Sequence, residues 1–146
     1  MKYLLDASAL LPLATRRGRQ LITDATKQTL LTTDLAVYEA CNTLWKLATL
    51  LRTITPKDAT SAIMLVEEIT AKNLIRPTNC EELDLQSTLQ KACSEKITFY
   101  DASYLAAAEQ TEATLVTEDE KLRKVSAKSV RTIRYSEFEH LLNAKQ

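Results

Sequence analysis

The chain reads as an α/β protein in which a parallel sheet is covered by helices on both faces. Three observations lead there. Short apolar runs alternate with longer stretches whose apolar residues recur every three or four positions. Turn residues are scarce, with one Gly and three Pro against abundant Ala, Leu, Glu, Lys and Thr, which favours helices joined by short connections. Strands separated by helices need crossover connections, and crossovers make the strands parallel and lay the helices over the sheet.

Tyr3-Leu4-Leu5, closed by Asp6, is a buried strand, and Ser8-Ala9-Leu10-Leu11 opens a helix with Ser8 as its cap. Helix continues from Arg16 to Asp24 with a break near Gly18, and Gln28 to Thr32 is rich enough in β-formers for a second strand. From Asp34 to about Arg52, Tyr38, Cys41, Trp45 and Ala48 recur at helical steps, and Leu44, Leu47 and Leu51 widen the stripe. That spacing predicts an amphipathic helix, capped by Thr33 or Asp34, with Tyr38, Cys41 and Trp45 packed in the core. Thr55-Pro56-Lys57-Asp58 offers a capping Thr, a Pro at the first helical position and an early acid, ahead of Ala62, Ile63, Val66 and Ile69. The two segments form a helical hairpin over Asp34 to Ala71.

Leu74-Ile75-Arg76 is a brief strand stopped by Pro77, and Glu81 to Ser94 a less regular helix. Asp101 to Gln110 is Ala-rich helix, Thr114-Leu115-Val116 a strand and Asp119 to Lys124 a short helix. Val130 to Arg134 alternates as a strand, and Ser136 to Asn143 closes with helix. No repeat, low-complexity tract or linker divides the 146 residues, so one domain over 1–146 is expected.

Nineteen basic and nineteen acidic side chains give a formal net charge of +0, so no global field draws the chain to nucleic acid. Such a partner would have to be held by a local patch or a metal. The longest apolar runs fall far below the roughly 20 residues of a membrane helix, and Asp6 interrupts any signal-peptide stretch, so a cytoplasmic protein is expected. Cys41, Cys80 and Cys93 are odd in number and lack C-x-x-C spacing, which argues against a disulfide framework or a zinc knuckle.

Ligands of open parallel sheets bind at the carboxyl ends of the strands. Asp6 follows the first strand there, and Thr117-Glu118-Asp119 follows Thr114 to Val116. Asp101 opens a helix, and Glu39 heads a polar stripe with Asn42, Thr43 and Lys46 at i+3, i+4 and i+7. Only the fold can bring these acids together. If it does, their mutual repulsion calls for a divalent cation, and carboxylate oxygens suit Mg²⁺ or Mn²⁺. His140 is the one histidine and lies near the terminus, and Gly18 stands alone, so neither a His-dependent base nor a glycine-rich phosphate loop is available. Hydrolysis by metal-activated water is what remains.

Leu4-Leu5-Asp6-Ala7-Ser8-Ala9-Leu10, Tyr38-Glu39-Ala40-Cys41-Asn42, Tyr100-Asp101-Ala102-Ser103-Tyr104-Leu105-Ala106 and Leu115-Val116-Thr117-Glu118-Asp119-Glu120-Lys121-Leu122 resemble, in order, the four acidic motifs of PIN-domain ribonucleases, especially the VapC-like toxins. The resemblance implies a parallel five-stranded sheet in a three-layer α/β/α sandwich and Mg²⁺- or Mn²⁺-dependent endonucleolytic cleavage of RNA. It implies Asp6, Glu39, Asp101 and Asp119 as catalytic metal ligands, Ser8 and Thr117 as the hydroxyls that order them, and Asn42 as the amide after the helical Glu. Glu118 competes with Asp119 for the last position. The family also implies a cognate antitoxin and often a homodimer, for which an apolar strip on the Asp34 to Ala71 hairpin is the candidate face.

Each acid has a plainer reading. Asp6 reads as a cap for the helix that begins near Ser8, Asp101 as the acid of the capping box Thr98 to Asp101, Asp119 as a first-turn acid near the helix dipole within the box Thr117 to Glu120, and Glu39 as part of a solvated face. Arg16, Arg17 and Arg19 on one side, with Lys121, Arg123, Lys124 and Lys128 on the other, are candidate phosphate holders or solvated basic faces. Three alternatives compete on function. A catalytically inactive domain of this family would bind a protein or RNA without cutting it. A receiver-type phosphoacceptor wants two adjacent acids after the first strand, where Ala7 stands, and a D-x-D phosphatase fails at Ser8.

Overall fold

The computed structural model describes residues 1–144, so Lys145 and Gln146 lie outside it. Its five strands are β1 (Lys2–Leu5), β2 (Thr29–Thr33), β3 (Arg76–Thr78), β4 (Thr114–Val116) and β5 (Thr132–Ile133). All pair in parallel in the order β3-β2-β1-β4-β5, with Tyr3 opposite Leu30 on one side and Thr114 on the other. Burial on both faces explains why β1 and β4 read as continuous apolar runs.

Eight helices cover the sheet among the described residues: α1 (Ala7–Arg17), α2 (Gln20–Lys27), α3 (Asp34–Trp45), α4 (Pro56–Ala71), α5 (Leu85–Glu95), α6 (Phe99–Thr111), α7 (Glu120–Ser126) and α8 (Tyr135–Asn143). Helices α1, α3 and α4 pack on one another, and α5 packs on α6, which lies against β1 and β4. The result is the expected three-layer sandwich. Its core joins Leu4, Leu5, Leu31 and Leu115 of the sheet to Leu10, Leu13, Val66, Leu105 and Phe138 of the helices. No helix among the described residues is long and apolar enough to cross a membrane. Cys41, Cys80 and Cys93 are free.

Several boundaries differ from the sequence reading. Helix α1 is capped by Asp6, not Ser8: the Asp6 carboxylate accepts the Ala9 N–H at 3.1 Å. Gly18, at φ 52° and ψ −129°, ends that helix in a conformation that suits glycine. The third strand is displaced to include Pro77, because the N–H groups of Leu74 and Ile75 are captured by the Ile69 carbonyl at the exit of α4. Pro77 is tolerated since β3 is an edge strand. The helix expected from Glu81 starts at Leu85, capped by Asp84, after a separate 3₁₀ turn over Cys80–Glu82. Asp119 is itself the cap of α7, where Thr117 was the expected one.

The largest correction concerns α3. Its buried positions are Ala36, Ala40 and Leu44, whereas Tyr38 is 78% exposed and Cys41 and Trp45 face outward. Small residues let α3 lie close to α1 and α4, so the bulky stripe falls on the outer side. After Trp45 the helix does not simply continue to Arg52 but widens into a π turn over Lys46–Leu50.

Candidate active site

Four elements deliver one acid each to a common cavity of about 450 Å³. Asp6 leaves the carboxyl end of β1, Glu39 lies in the second turn of α3, Asp101 in the first turn of α6 and Asp119 just beyond β4. All four line the cavity, together with Ala7, Ser8, Leu11, Pro12, Asn42, Thr43, Lys46 and Tyr104. Of the seven residues singled out from the sequence, only Thr117 is not on the wall. It is fully buried beneath, donating its hydroxyl to Asp6.

Asp6 is the hub. It is 5% exposed, and its carboxylate accepts from the Ser8 hydroxyl at 2.5 Å, from the Thr117 hydroxyl and from the Ala9 N–H. Burial penalises the charged form and pushes its carboxyl up to about 6, even though these hydrogen bonds pull the other way. Thr117 and Ser8 also order the strand β4 exit: Thr117 Oγ1 accepts the Asp119 N–H at 3.0 Å, and Ser8 Oγ accepts the Glu118 N–H at 2.9 Å.

That arrangement separates the two neighbouring acids. The Glu118 carboxylate turns to the Tyr135 N–H at the start of α8, at 2.8 Å, whereas Asp119 faces the cavity and accepts the Leu122 N–H at 2.7 Å. Asp101 sits above the Thr98 cap, whose hydroxyl accepts its N–H at 3.0 Å. Only this half of the expected Thr98 capping box is formed.

The sequence reading missed Tyr104. It lies one turn beyond Asp101 on α6, is almost fully buried, and donates its hydroxyl to Glu39 Oε2. Burial and the Glu39 carboxylate both raise its phenol, so it remains a neutral donor. A buried tyrosine needs a partner for its hydroxyl, and the position three residues after Asp101 was the available signal.

The basic clusters mostly turn elsewhere. Arg17 is buried, forming two hydrogen bonds to Asp24, at 2.8 and 3.0 Å, and one to Asn143. Arg16 stacks over the Tyr135 ring, Lys128 pairs with Glu95, and Arg123 and Lys124 lie near Glu120. None of them lines the acidic cavity.

The donor set is carboxylate oxygen throughout, the chemistry that suits a hard divalent cation. Among the described residues no three His, Cys, Asp or Glu side chains are gathered tightly enough to form a finished ligand set. Asp6, Glu39 and Asp119 each accept a hydrogen bond from a protein donor. The residues fit such an ion by chemistry and by sharing one cavity.

An all-parallel α/β/α sandwich with acids from four remote segments on one cavity at the sheet's carboxyl edge defines a class of acidic-pocket α/β domains. Within that class, residues 3–128 match the family model of the PIN domain, and the chain belongs to the PIN domain family. It is 34% identical over 122 residues to Exonuclease VapC9 of Pyrobaculum aerophilum, an alignment that covers 84% of each protein. The crystal structure of PAE2754 from the same organism superposes with a TM-score of 0.76 at 31% identity, covering 99% of this chain and 96% of that one. The structure of VapBC2 from Rickettsia felis bound to a promoter DNA fragment gives a TM-score of 0.60 at 13% identity, covering 92% and 98%. At that identity it speaks for the fold alone.

Proposed function

We propose that this protein is a divalent-metal-dependent endoribonuclease, the toxin half of a VapBC-type toxin–antitoxin pair. The observation that carries the reading is the convergence of Asp6, Glu39, Asp101 and Asp119 on one cavity, supported by membership of the PIN domain family and by the VapC-named relative.

Those four carboxylates would hold Mg²⁺ or Mn²⁺. When bound, such an ion supplies Lewis acidity that makes water nucleophilic near neutral pH and offsets charge on the scissile phosphate. The protein's own part is positioning. Ser8 and Thr117 fix both Asp6 oxygens, Tyr104 fixes Glu39, and the N-terminal turn of α7 fixes Asp119. Asn42, on the wall beside Glu39, presents an amide to the phosphate backbone. Attack by water rather than by the ribose hydroxyl leaves 5′-phosphate and 3′-hydroxyl ends.

The test is cleavage of a circular single-stranded RNA with Mn²⁺, Mg²⁺ or EDTA. Linear products with 5′-phosphate ends that vanish with EDTA and in Asp101→Asn are expected. The relative at 34% identity carries the name of an exonuclease; an exonuclease would leave the circle intact and shorten only a linear control. Products with 2′,3′-cyclic phosphate would reject the water mechanism. Binding without cleavage of either RNA would favour the inactive, interaction-only alternative.

A further inference from the structure

Among the described residues, the acidic cavity has a single cationic side chain on its wall, Lys46. It ends the stripe that carries Glu39, Asn42 and Thr43 along α3, and all four line the same cavity. Elsewhere among the described residues Lys72 pairs with Glu68, Lys91 with Glu109, Lys124 with Glu120 and Lys128 with Glu95. Lys46 shares a cavity with four acids and forms no ion pair with any of them.

Its place is set by an irregular backbone. The Lys46 N–H is shared between the carbonyls of Asn42 and Thr43, and its own carbonyl accepts the Leu51 N–H at 2.9 Å, closing the π turn. A single π turn is less favourable than continued α-helix, and such turns concentrate at functional sites. Here the wider turn begins at the residue that meets the cavity and brings Leu47 and Ala48 to half-buried positions behind it. Across from α3, Leu11 and Pro12 of α1 supply an apolar stretch of the same wall.

An acidic cavity repels a polyanion. A metal at the four carboxylates answers the charge of the phosphate being cut, but not that of its neighbours on the strand. Of the seven basic groups the sequence offered for that task, Arg16, Arg17 and Lys128 are committed elsewhere, and none of the seven lines the cavity. We propose that Lys46 binds the backbone phosphate adjoining the scissile one in single-stranded RNA, with the intervening nucleoside lying against Leu11 and Pro12. This rests on the reading of the protein as an RNA nuclease, and it makes Lys46 a substrate-binding residue, separate from the metal-holding acids.

The experiment uses the full chain and its Lys46→Ala and Lys46→Arg variants, with Lys57→Ala, outside the cavity, as control. Cleavage of a linear single-stranded RNA with Mn²⁺ is followed across a series of KCl concentrations, and Mn²⁺ binding without RNA is measured by calorimetry. Lys46→Ala is expected to raise KM about tenfold with little change in kcat, and to reduce the log–log salt slope by about 0.7, the value for one phosphate contact on a single strand. Mn²⁺ affinity should stay unchanged, and Lys46→Arg should recover most of the loss. Unaltered KM and salt slope in Lys46→Ala, with the wild type cutting, would overturn the role of Lys46 and leave the nuclease reading standing. A large change in Mn²⁺ affinity would overturn it too, placing Lys46 with the carboxylates instead of the RNA. A wild type that cuts no RNA would remove both.

Discussion

Asp6 is a buried carboxyl whose proton equilibrium the fold displaces strongly. Its carboxyl is pushed up to about 6 in the fold from an ordinary value of 3.8, chiefly by burial. A group whose folded value is raised binds its proton more tightly when folded, so its contribution is complete below about 3.8 and is lost as pH rises through about 6. The penalty at neutral pH is of order 3 kcal/mol. Asp6→Asn keeps the shape and removes the charge. Thermal melts should therefore show a higher Tm than wild type at pH 7, with the difference shrinking towards pH 4, while cleavage is lost. Added Mn²⁺ should raise the wild-type Tm well above its effect on the variant; equal shifts in both proteins would remove Asp6 from the metal site. Asp6 and Asp119 were legible because they follow strands at the carboxyl edge of the sheet, and Glu39 and Asp101 through the resemblance to the four acidic motifs; the fold then puts all four on one cavity. The choice between Glu118 and Asp119 was not, since it depends on a hydrogen bond from Tyr135, 17 residues further on. Tyr104 stayed hidden for the same reason: its partner Glu39 is 65 residues away.

At the scale of elements, the Thr33, Thr55 and Thr98 caps and the helical hairpin could be read locally, whereas the caps of α1 and α7 and the facing of α3 could not. Its apolar residues cover most of the circumference, and periodicity alone cannot say whether Ala36, Ala40 and Leu44 or the bulkier Tyr38, Cys41 and Trp45 meet the core. Close approach to α1 and α4 decides for the small side. The Arg17–Asp24 pair shows a second kind of information missing from the local sequence. It joins α1 to α2, and the Asn143 contact ties both to α8. Both partners are nearly inaccessible, and the bonded Asp24 carboxylate holds the Arg17 guanidinium above its usual range. Asp24→Ala would leave a buried guanidinium without its counter-charge, at a cost of about 3–5 kcal/mol. Urea unfolding should show that loss. Replacing the pair together, as Arg17→Met with Asp24→Leu, should recover much of it, because the desolvation of the charges disappears along with their attraction.

Viewed whole, the molecule leaves apolar side chains of the helical hairpin uncovered. Tyr38, Trp45, Leu50, Leu51, Met64 and Leu65 are all exposed, on α3, α4 and the turn between them. Beside them Cys41, Leu44, Trp45, Ala59, Thr60 and Ile63 line a shallow apolar hollow. Exposed apolar side chains gathered on one helical hairpin suit an association surface, and we propose it as the homodimer face. Light scattering after gel filtration should give twice the monomer mass for the wild type and the monomer mass for Trp45→Glu. A wild-type monomer at tens of micromolar would reject the assignment. The two borders of the sheet behave differently. On one side β3 spans three residues and contains Pro77, which has no N–H to offer a newcomer, and on the other β5 spans two. Neither margin presents a run of backbone long enough to template a foreign strand. Under that proposal the two copies would meet through side chains on the helical hairpin, where association can close at two, and away from the open-ended stacking from which fibrils grow.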